Sequence, residues 1–285
     1  MAEWTEIADG VLHARYQPID VSIVAVVGEA GVLLVDSRCN PREGAELAAD
    51  VDALGLGPTR WLVNTHAHYD HAFGNQAFPG ALVFGHARIP AHFAEFEEPR
   101  LAAWRSAPEA QPQYDWADVV PTPPDRLLTE ETEVDLGGRL VRLLPLRPGH
   151  TDTDLVVHVP DVGVWIVGDV VEESGPPMYG SGSFPLEWPG VVERLSEGIG
   201  MQEVVIPGHG KPVDRAFLVQ QAGMLDAVAA AIRTGHAAGA TPERIAAAAS
   251  EATGWTPDWV EPAVRRGLAS LGGRPRSPRP LPSAP

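Results

Sequence analysis

This chain of 285 residues contains one cysteine, Cys39, and one lysine, Lys211. A single thiol cannot close an intrachain disulfide, so nothing ties the chain to an oxidising compartment. With 38 acidic residues against 21 basic ones, a net charge of −17 and no basic run, it lacks what grips a nucleic-acid backbone, and nucleic acid is excluded as a partner. No stretch approaches the roughly 20 apolar residues that span a bilayer. The start, Met1-Ala2-Glu3-Trp4-Thr5-Glu6, is acidic and has no apolar run of the kind found in a signal peptide. A cytoplasmic protein acting on a small molecule, without a membrane partner, is expected. Hydrophobic residues make up 44% and charged residues 21%, which is ordinary for a globular chain.

Against these absences stands one dense stretch, Asn64-Thr65-His66-Ala67-His68-Tyr69-Asp70-His71, with three imidazoles and a carboxylate within six residues. Imidazole nitrogen and carboxylate oxygen suit zinc, manganese or iron, whereas calcium and magnesium prefer oxygen ligands. The preceding Arg60-Trp61-Leu62-Val63-Asn64 reads as a short buried strand, so the cluster sits where a strand gives way to a loop. His66 and His68 can share one ion. Asp70 and His71 cannot easily crowd onto the same tetrahedral centre, so the spacing suggests a second ion beside the first.

The rest of the chain reads as strands first and helices last. Hairpins are expected about Asp9-Gly10, Gly28-Glu29-Ala30-Gly31, Gly137-Gly138 and Asp161-Val162-Gly163. Asn40-Pro41 starts a helix running to about Leu54, and a second helix is expected from Ala87 to about Arg105. The proline-rich segment 107–125, with Tyr114 and Trp116, is too rich in helix breakers for a regular element and is a candidate lid. Asp214, Thr241 and Thr256 each open a helix in the last third. The division expected is a main domain over 1–213, helices packed on it over 214–272, and a proline-rich tail over 273–285 that is disordered.

The His-x-His-x-Asp-His string after an apolar strand resembles the signature of the metallo-β-lactamase superfamily, and the later partners of that signature follow in order. His150 stands in Arg147-Pro148-Gly149-His150-Thr151, Asp169 follows Val164-Trp165-Ile166-Val167-Gly168, and His209 stands in Ile206-Pro207-Gly208-His209-Gly210. The resemblance, over roughly residues 10 to 220, implies an α/β fold, a four-layer αββα sandwich with extra C-terminal helices. It also implies two zinc ions per chain, with iron or manganese as the other metals this donor set suits. His66, His68 and His150 would hold one, Asp70, His71 and His209 the other, and Asp169 would bridge them. Asp36 would support the metal loop from below.

The function implied is a binuclear hydrolase that cleaves an ester, thioester, lactone or amide through a metal-activated water, with Asp70 orienting that water. An aspartate at 169 makes the pattern more similar to glyoxalase II and lactonase-like hydrolases. A β-lactamase and a mononuclear-iron persulfide dioxygenase are the alternatives. For substrate contacts the candidates are Tyr179, in the Gly/Pro-rich loop after Asp169, and Lys211, two residues after His209, whose ammonium would attract an anionic group.

Overall fold

Apolar β-branched runs broken by glycine turns build twelve strands in the computed structural model, which describes residues 2–110 and 114–272. The tail expected over 273–285 lies outside the described residues. β1 (Trp4–Ala8), β2 (Val11–Tyr16), β3 (Val21–Gly28) and β4 (Gly31–Val35) pair antiparallel in succession. α1 (Pro41–Ala53) starts on Asn40, whose side chain accepts the Glu43 N–H at 2.9 Å and donates back to Glu43 Oε1 at 2.9 Å. That reciprocal cap satisfies an orphan donor of the first turn. β5 (Thr59–Val63) then joins β4 in parallel and leads into a four-residue helix, α2 (Tyr69–Ala72).

β6 (Leu82–His86) pairs with β5. After it come α3 (Ile89–His92), a π-helical turn (Phe93–Glu97) and α4 (Glu98–Ser106), without a break, where the sequence predicts one helix. β7 (Arg126–Leu128) closes the first sheet. The second sheet runs β8 (Thr132–Asp135), β9 (Leu140–Pro145), β10 (Leu155–Val159), β11 (Val164–Glu172) and β12 (Val204–His209). The pair Val21↔His209 joins it to the first at one edge.

The central strands β3, β4, β10 and β11 are covered on both faces, which is why they read as continuous apolar runs, while β8 and β9 alternate buried and exposed residues. Along β3, Val24 and Val26 enter the core between the sheets, while Ile23 and Ala25 share a second core with Leu47 and Val51 of α1. β11 alternates in the same way: Val164 and Ile166 face the other sheet, and Trp165 and Val167 face the helices outside. Those helices are α5 (Trp188–Gly198), α6 (Arg215–Ala237), α7 (Pro242–Thr253) and α8 (Pro257–Gly272). Leu225, Val228 and Ile232 of α6, Ile245 of α7 and Val264 of α8 pack in the same core as Val167 and Val171. The layers are therefore helix, sheet, sheet, helix.

Other features also differ from the sequence reading. α5 is not anticipated there, although Trp188, Val191, Val192 and Leu195 repeat at helical spacing behind Pro189 and all are buried. β11 also continues past Asp169 to Glu172, with irregular pairing between Ile166 and Glu172 and with Gly168 at φ 55°. A Cβ on Gly168 would come within 2.7 Å of Thr65, so only glycine lets the strand bend over the metal loop. No helix among the described residues is long and apolar enough to cross a membrane.

Candidate metal centre

The loop after β5 keeps its shape because its polar backbone is tied down from below. Asn64 Nδ2, the Ser37 N–H and Ser37 Oγ all donate to the His71 carbonyl, at 2.9–3.1 Å. Thr153 Oγ1 accepts the Ala67 N–H at 3.0 Å. Asp36 follows β4 in the left-handed region, φ 66°, and lies fully beneath the loop. Its Oδ1 accepts the Thr65 N–H at 2.8 Å, and its Oδ2 accepts the Thr65 hydroxyl at 2.8 Å and His71 Nδ1–H at 2.7 Å. Burial pushes the Asp36 carboxyl up, and the His71 and Thr65 contacts pull it back only in part.

Five imidazoles and two carboxylates from four separate segments converge above this loop, in two groups: His66, His68, His150 and Asp169, and Asp70, His71 and His209. In the first group His150 Nε2 lies 2.9 Å from His68 Nδ1, and Asp169 Oδ2 lies 3.6 Å from His66 Nε2 and 3.5 Å from His150 Nε2. In the second, Asp70 Oδ2 is 3.6 Å from His71 Nε2 and 3.3 Å from His209 Nε2. The other oxygen of Asp169, Oδ1, lies 3.1 Å from His71 Nε2 and 3.4 Å from His209 Nε2. Asp169 thus turns one oxygen to each group.

Imidazole tautomers follow from what the far nitrogen touches. His71 Nδ1–H is given to Asp36, His209 Nδ1–H to the Ile19 carbonyl at 2.8 Å, and His68 Nε2–H to the Ser181 carbonyl at 3.0 Å. The Thr65 hydroxyl donates to Asp36 and can therefore accept His66 Nδ1–H at 3.1 Å. In each of these four rings the other nitrogen therefore faces the centre and is the one left to bind an ion. His66 Nε2 and Asp169 Oδ1 are buried and make no hydrogen bond among the described residues. Around a tetrahedral ion with ligands at about 2.0–2.2 Å, neighbouring ligand atoms stand about 3.3–3.6 Å apart. The observed spacings lie close to that edge, so the donor set fits bound metal.

Electrostatics divides the two groups. Burial holds His66 and His68 well below the ordinary imidazole range and lowers His150 to about 4, which leaves neutral rings. Burial also opposes charge on His71 and His209, but Asp169 and Asp70 outweigh it and raise both. Burial likewise opposes ionisation of Asp169, yet His71 and His209 keep it well below the usual carboxylate range. In the ion-free centre the protons on His71 and His209 balance the two carboxylates, and a cation entering the centre would take their place.

The four segments meet because each loop is pinned elsewhere. Asp154, buried beside the His150 loop, accepts the Thr151 N–H at 2.9 Å and the Thr151 hydroxyl at 2.7 Å. The Phe184 N–H donates to the Gly149 carbonyl at 3.0 Å. Trp188 meets the His150 ring edge-on at 5.1 Å. At His209, a Cβ on Gly208 would fall 1.9 Å from Asp169 Oδ1, so glycine is what allows this close approach.

The two residues expected to meet substrate sit differently. Tyr179 is buried against Trp188 with its hydroxyl unpartnered among the described residues, while Lys211 is 68% exposed and pairs with Glu173 at 3.4 Å. The described part of segment 107–125 packs as a wall. Tyr114 and Trp116 are buried beside Tyr69, Trp104 stacks on Trp116 at 4.4 Å, and Arg105 ties down the carbonyls of Trp116 and Val119. Sequence reasoning missed Glu97, His92 and Ser181, all buried beside His68. The only signal in the sequence was a histidine and a glutamate five apart in a helical stretch, a spacing an α-helix does not bring together.

Comparison with known proteins supports the same reading. The sequence profile described as the metallo-beta-lactamase superfamily matches residues 16–221. A metallo-beta-lactamase type 2 of Bacillus cereus is 23% identical over 201 residues, 68% of this chain and 69% of that protein. Among solved structures, a metallo-beta-lactamase from Pontibacter korlensis superposes with a TM-score of 0.63 at 20% identity, covering 78% of this chain and 99% of its own. A stereoselective inverting sec-alkylsulfatase from Pseudomonas sp. gives a TM-score of 0.74 at 18% identity. That likeness covers 100% of this chain, which spans about half, 52%, of the sulfatase.

Proposed function

This chain belongs to the metallo-β-lactamase superfamily and is one of its metal-dependent hydrolases, and from that premise we propose that it cleaves an ester, thioester, lactone or amide of a small molecule at a two-ion centre. The observation that carries this reading is the division of Asp169, whose two oxygens face two separate groups of imidazole nitrogens. His66, His68 and His150 hold one ion, Asp70, His71 and His209 hold the other, and Asp169 stands between them. Zinc suits five nitrogen donors and two carboxylates, and iron or manganese can take the same ligands. Ions bound there would lower the pKa of a water toward neutrality and polarise the scissile bond.

The chain's own residues supply orientation. Asp70 turns Oδ2 toward His71 and His209, and its other oxygen accepts a hydrogen bond from the attacking water and sets the direction of attack. Asp70 can then carry that proton toward the leaving group. Trp188 backs the His150 ring, and Tyr69, within the ligand stretch, is held by Trp104 and Trp116. Tyr179, whose buried hydroxyl has no partner among the described residues, and Lys211, exposed and paired with Glu173, are the side chains we assign to the substrate. The alkylsulfatase likeness, which extends through the C-terminal helices, adds a sulfate ester to the bonds worth testing.

The test is elemental analysis of the purified protein, followed by assay of an ester, thioester, lactone, amide, β-lactam and alkyl sulfate with and without chelator. Two ions per chain and chelator-sensitive hydrolysis of one of these substrates are expected. One iron per chain, with oxygen uptake on a persulfide, would replace the hydrolase by an oxygenase.

A further inference from the structure

We propose that Glu97 is a positioning residue for His68, acting through Ser181 to fix the nitrogen that His68 presents to the metal centre. The carboxylate is fully buried in the π-helical turn between α3 and α4. Its Oε1 accepts the Ser181 hydroxyl at 2.9 Å, and Arg100 Nη1 lies 3.4 Å from its Oε2. Ser181 in turn touches His68 twice: its carbonyl oxygen is 3.0 Å and its hydroxyl oxygen 3.2 Å from His68 Nε2. Arg100 Nη2 donates to the same hydroxyl at 2.6 Å. Ser181 therefore cannot move without breaking contacts to a buried carboxylate and a guanidinium together.

The π turn is what makes this arrangement available. At about 3.6 residues per α-helical turn, positions 92 and 97 would stand about 140° apart and could not share a face. The wider i→i+5 turn aligns them, and His92 Nε2 comes to 3.8 Å from Glu97 Oε1. His92 Nδ1 meets Asp152 at 3.3 Å on its other side, and Asp152 is paired with Arg88. The loop carrying Ser181 has no slack against this face: a Cβ on Gly180 would come within 3.0 Å of His68, and one on Gly182 within 2.5 Å of His92.

The centre thus has a buried carboxylate behind each group of ligands. Asp36 meets His71 directly, and Glu97 meets His68 through Ser181. His68, His92 and Glu97 also stand close enough to hold a cation themselves. Two contacts argue for support instead: His68 Nε2–H is already given to the Ser181 carbonyl, and Arg100 supplies the charge opposite Glu97. Partners of this kind, one step behind a ligand, typically change metal affinity about 10–100-fold.

This inference rests on the reading of His68 as a ligand, and the experiment separates the two. Wild type, Glu97→Gln and Ser181→Ala are titrated with Co²⁺ against a chromophoric chelator while the visible cobalt spectrum is followed, with circular dichroism and thermal melts checking the fold. Glu97→Gln is expected to weaken one of two bound ions by about 10-fold or more and to shift that ion's spectrum, with the second ion unchanged. Ser181→Ala keeps the carbonyl but loses the hydroxyl link to Glu97, and should weaken the same ion by a comparable factor. Unchanged affinities, or equal weakening of both ions, would overturn the positioning role. A third ion lost in Glu97→Gln would also overturn it, making Glu97 a ligand. If Glu97→Gln does not fold, Ser181→Ala decides alone: wild-type affinity in a folded Ser181→Ala refutes the link. A wild type that binds no Co²⁺ would refute the metal centre itself.

Discussion

Replacing Asp36 by asparagine removes one charge and almost no volume, at a place where the consequences can be worked out. Three donors converge on this carboxylate: the Thr65 N–H on Oδ1, and the Thr65 hydroxyl and His71 Nδ1–H on Oδ2. An asparagine has one acceptor oxygen for two positions. If its amide nitrogen faces the Thr65 N–H, two buried donors oppose each other and a hydrogen bond is lost, at about 1–3 kcal/mol of fold stability. If it faces His71 instead, the ring must move its hydrogen to Nε2, the nitrogen directed at Asp70, Asp169 and His209. In both placements His71 loses the anion behind it. The expected result is a loss of about 10–100-fold in metal affinity at the Asp70–His71–His209 group, equivalent to about 1.4–2.8 kcal/mol. Asparagine is the right probe because residue 36 sits at φ 66°, where asparagine is tolerated and alanine would add strain of its own. Zn²⁺ is titrated against a chromophoric chelator, with elemental analysis after dialysis and melting curves run in chelator. Asp36→Asn holding two ions at wild-type affinity would refute the assignment of His71 and its tautomer.

Removal of the His150 imidazole tests the other group. The loop is held by Asp154 and by the Gly149 carbonyl, not by the ring, so His150→Ala should lose one ion and the activity while its melt in chelator stays close to that of wild type. Full metal content with retained activity would show that the third ligand lies elsewhere. Acid sensitivity is also expected outside the centre. Burial, with Arg15 nearby, lowers His13 from 6.5 to about 4, so between those pH values the unfolded chain takes up a proton that the folded chain refuses. Stability is then fully present above about pH 6.5, falls as the pH drops toward 4, and levels off below it, with a slope of up to about 1.4 kcal/mol per pH unit. His13→Gln should flatten that slope in urea unfolding with chelator present, and parallel curves would exclude His13 as a cause.

Much of this protein is determined by short stretches of the chain. The apolar runs and their glycine turns specify most strands, because a strand's period of two and its turn chemistry are local properties. Asn40 and Asp214 cap the helices they were expected to cap, since a cap needs only its own side chain and the N–H three residues on. Six residues from His66 to His71 are dense enough in imidazole and carboxylate to announce metal chemistry, and His150, Asp169 and His209 stand out through the family pattern.

What tertiary structure alone decided are relations between distant residues. The two oxygens of Asp169 reach two groups because β11 runs on past Gly168 to Glu172, and a bend that needs a positive φ against Thr65 cannot be read from apolar alternation. The single pair Val21↔His209, 188 residues apart in sequence, joins the two sheets. Glu97 and His92 share a face only because the helix widens to a π turn there, and Ser181 meets them from a loop more than eighty residues away. Local sequence can specify a donor atom, but the direction of its lone pair depends on which acceptor takes the other nitrogen's hydrogen. For His68 and His71 that acceptor lies on another part of the chain.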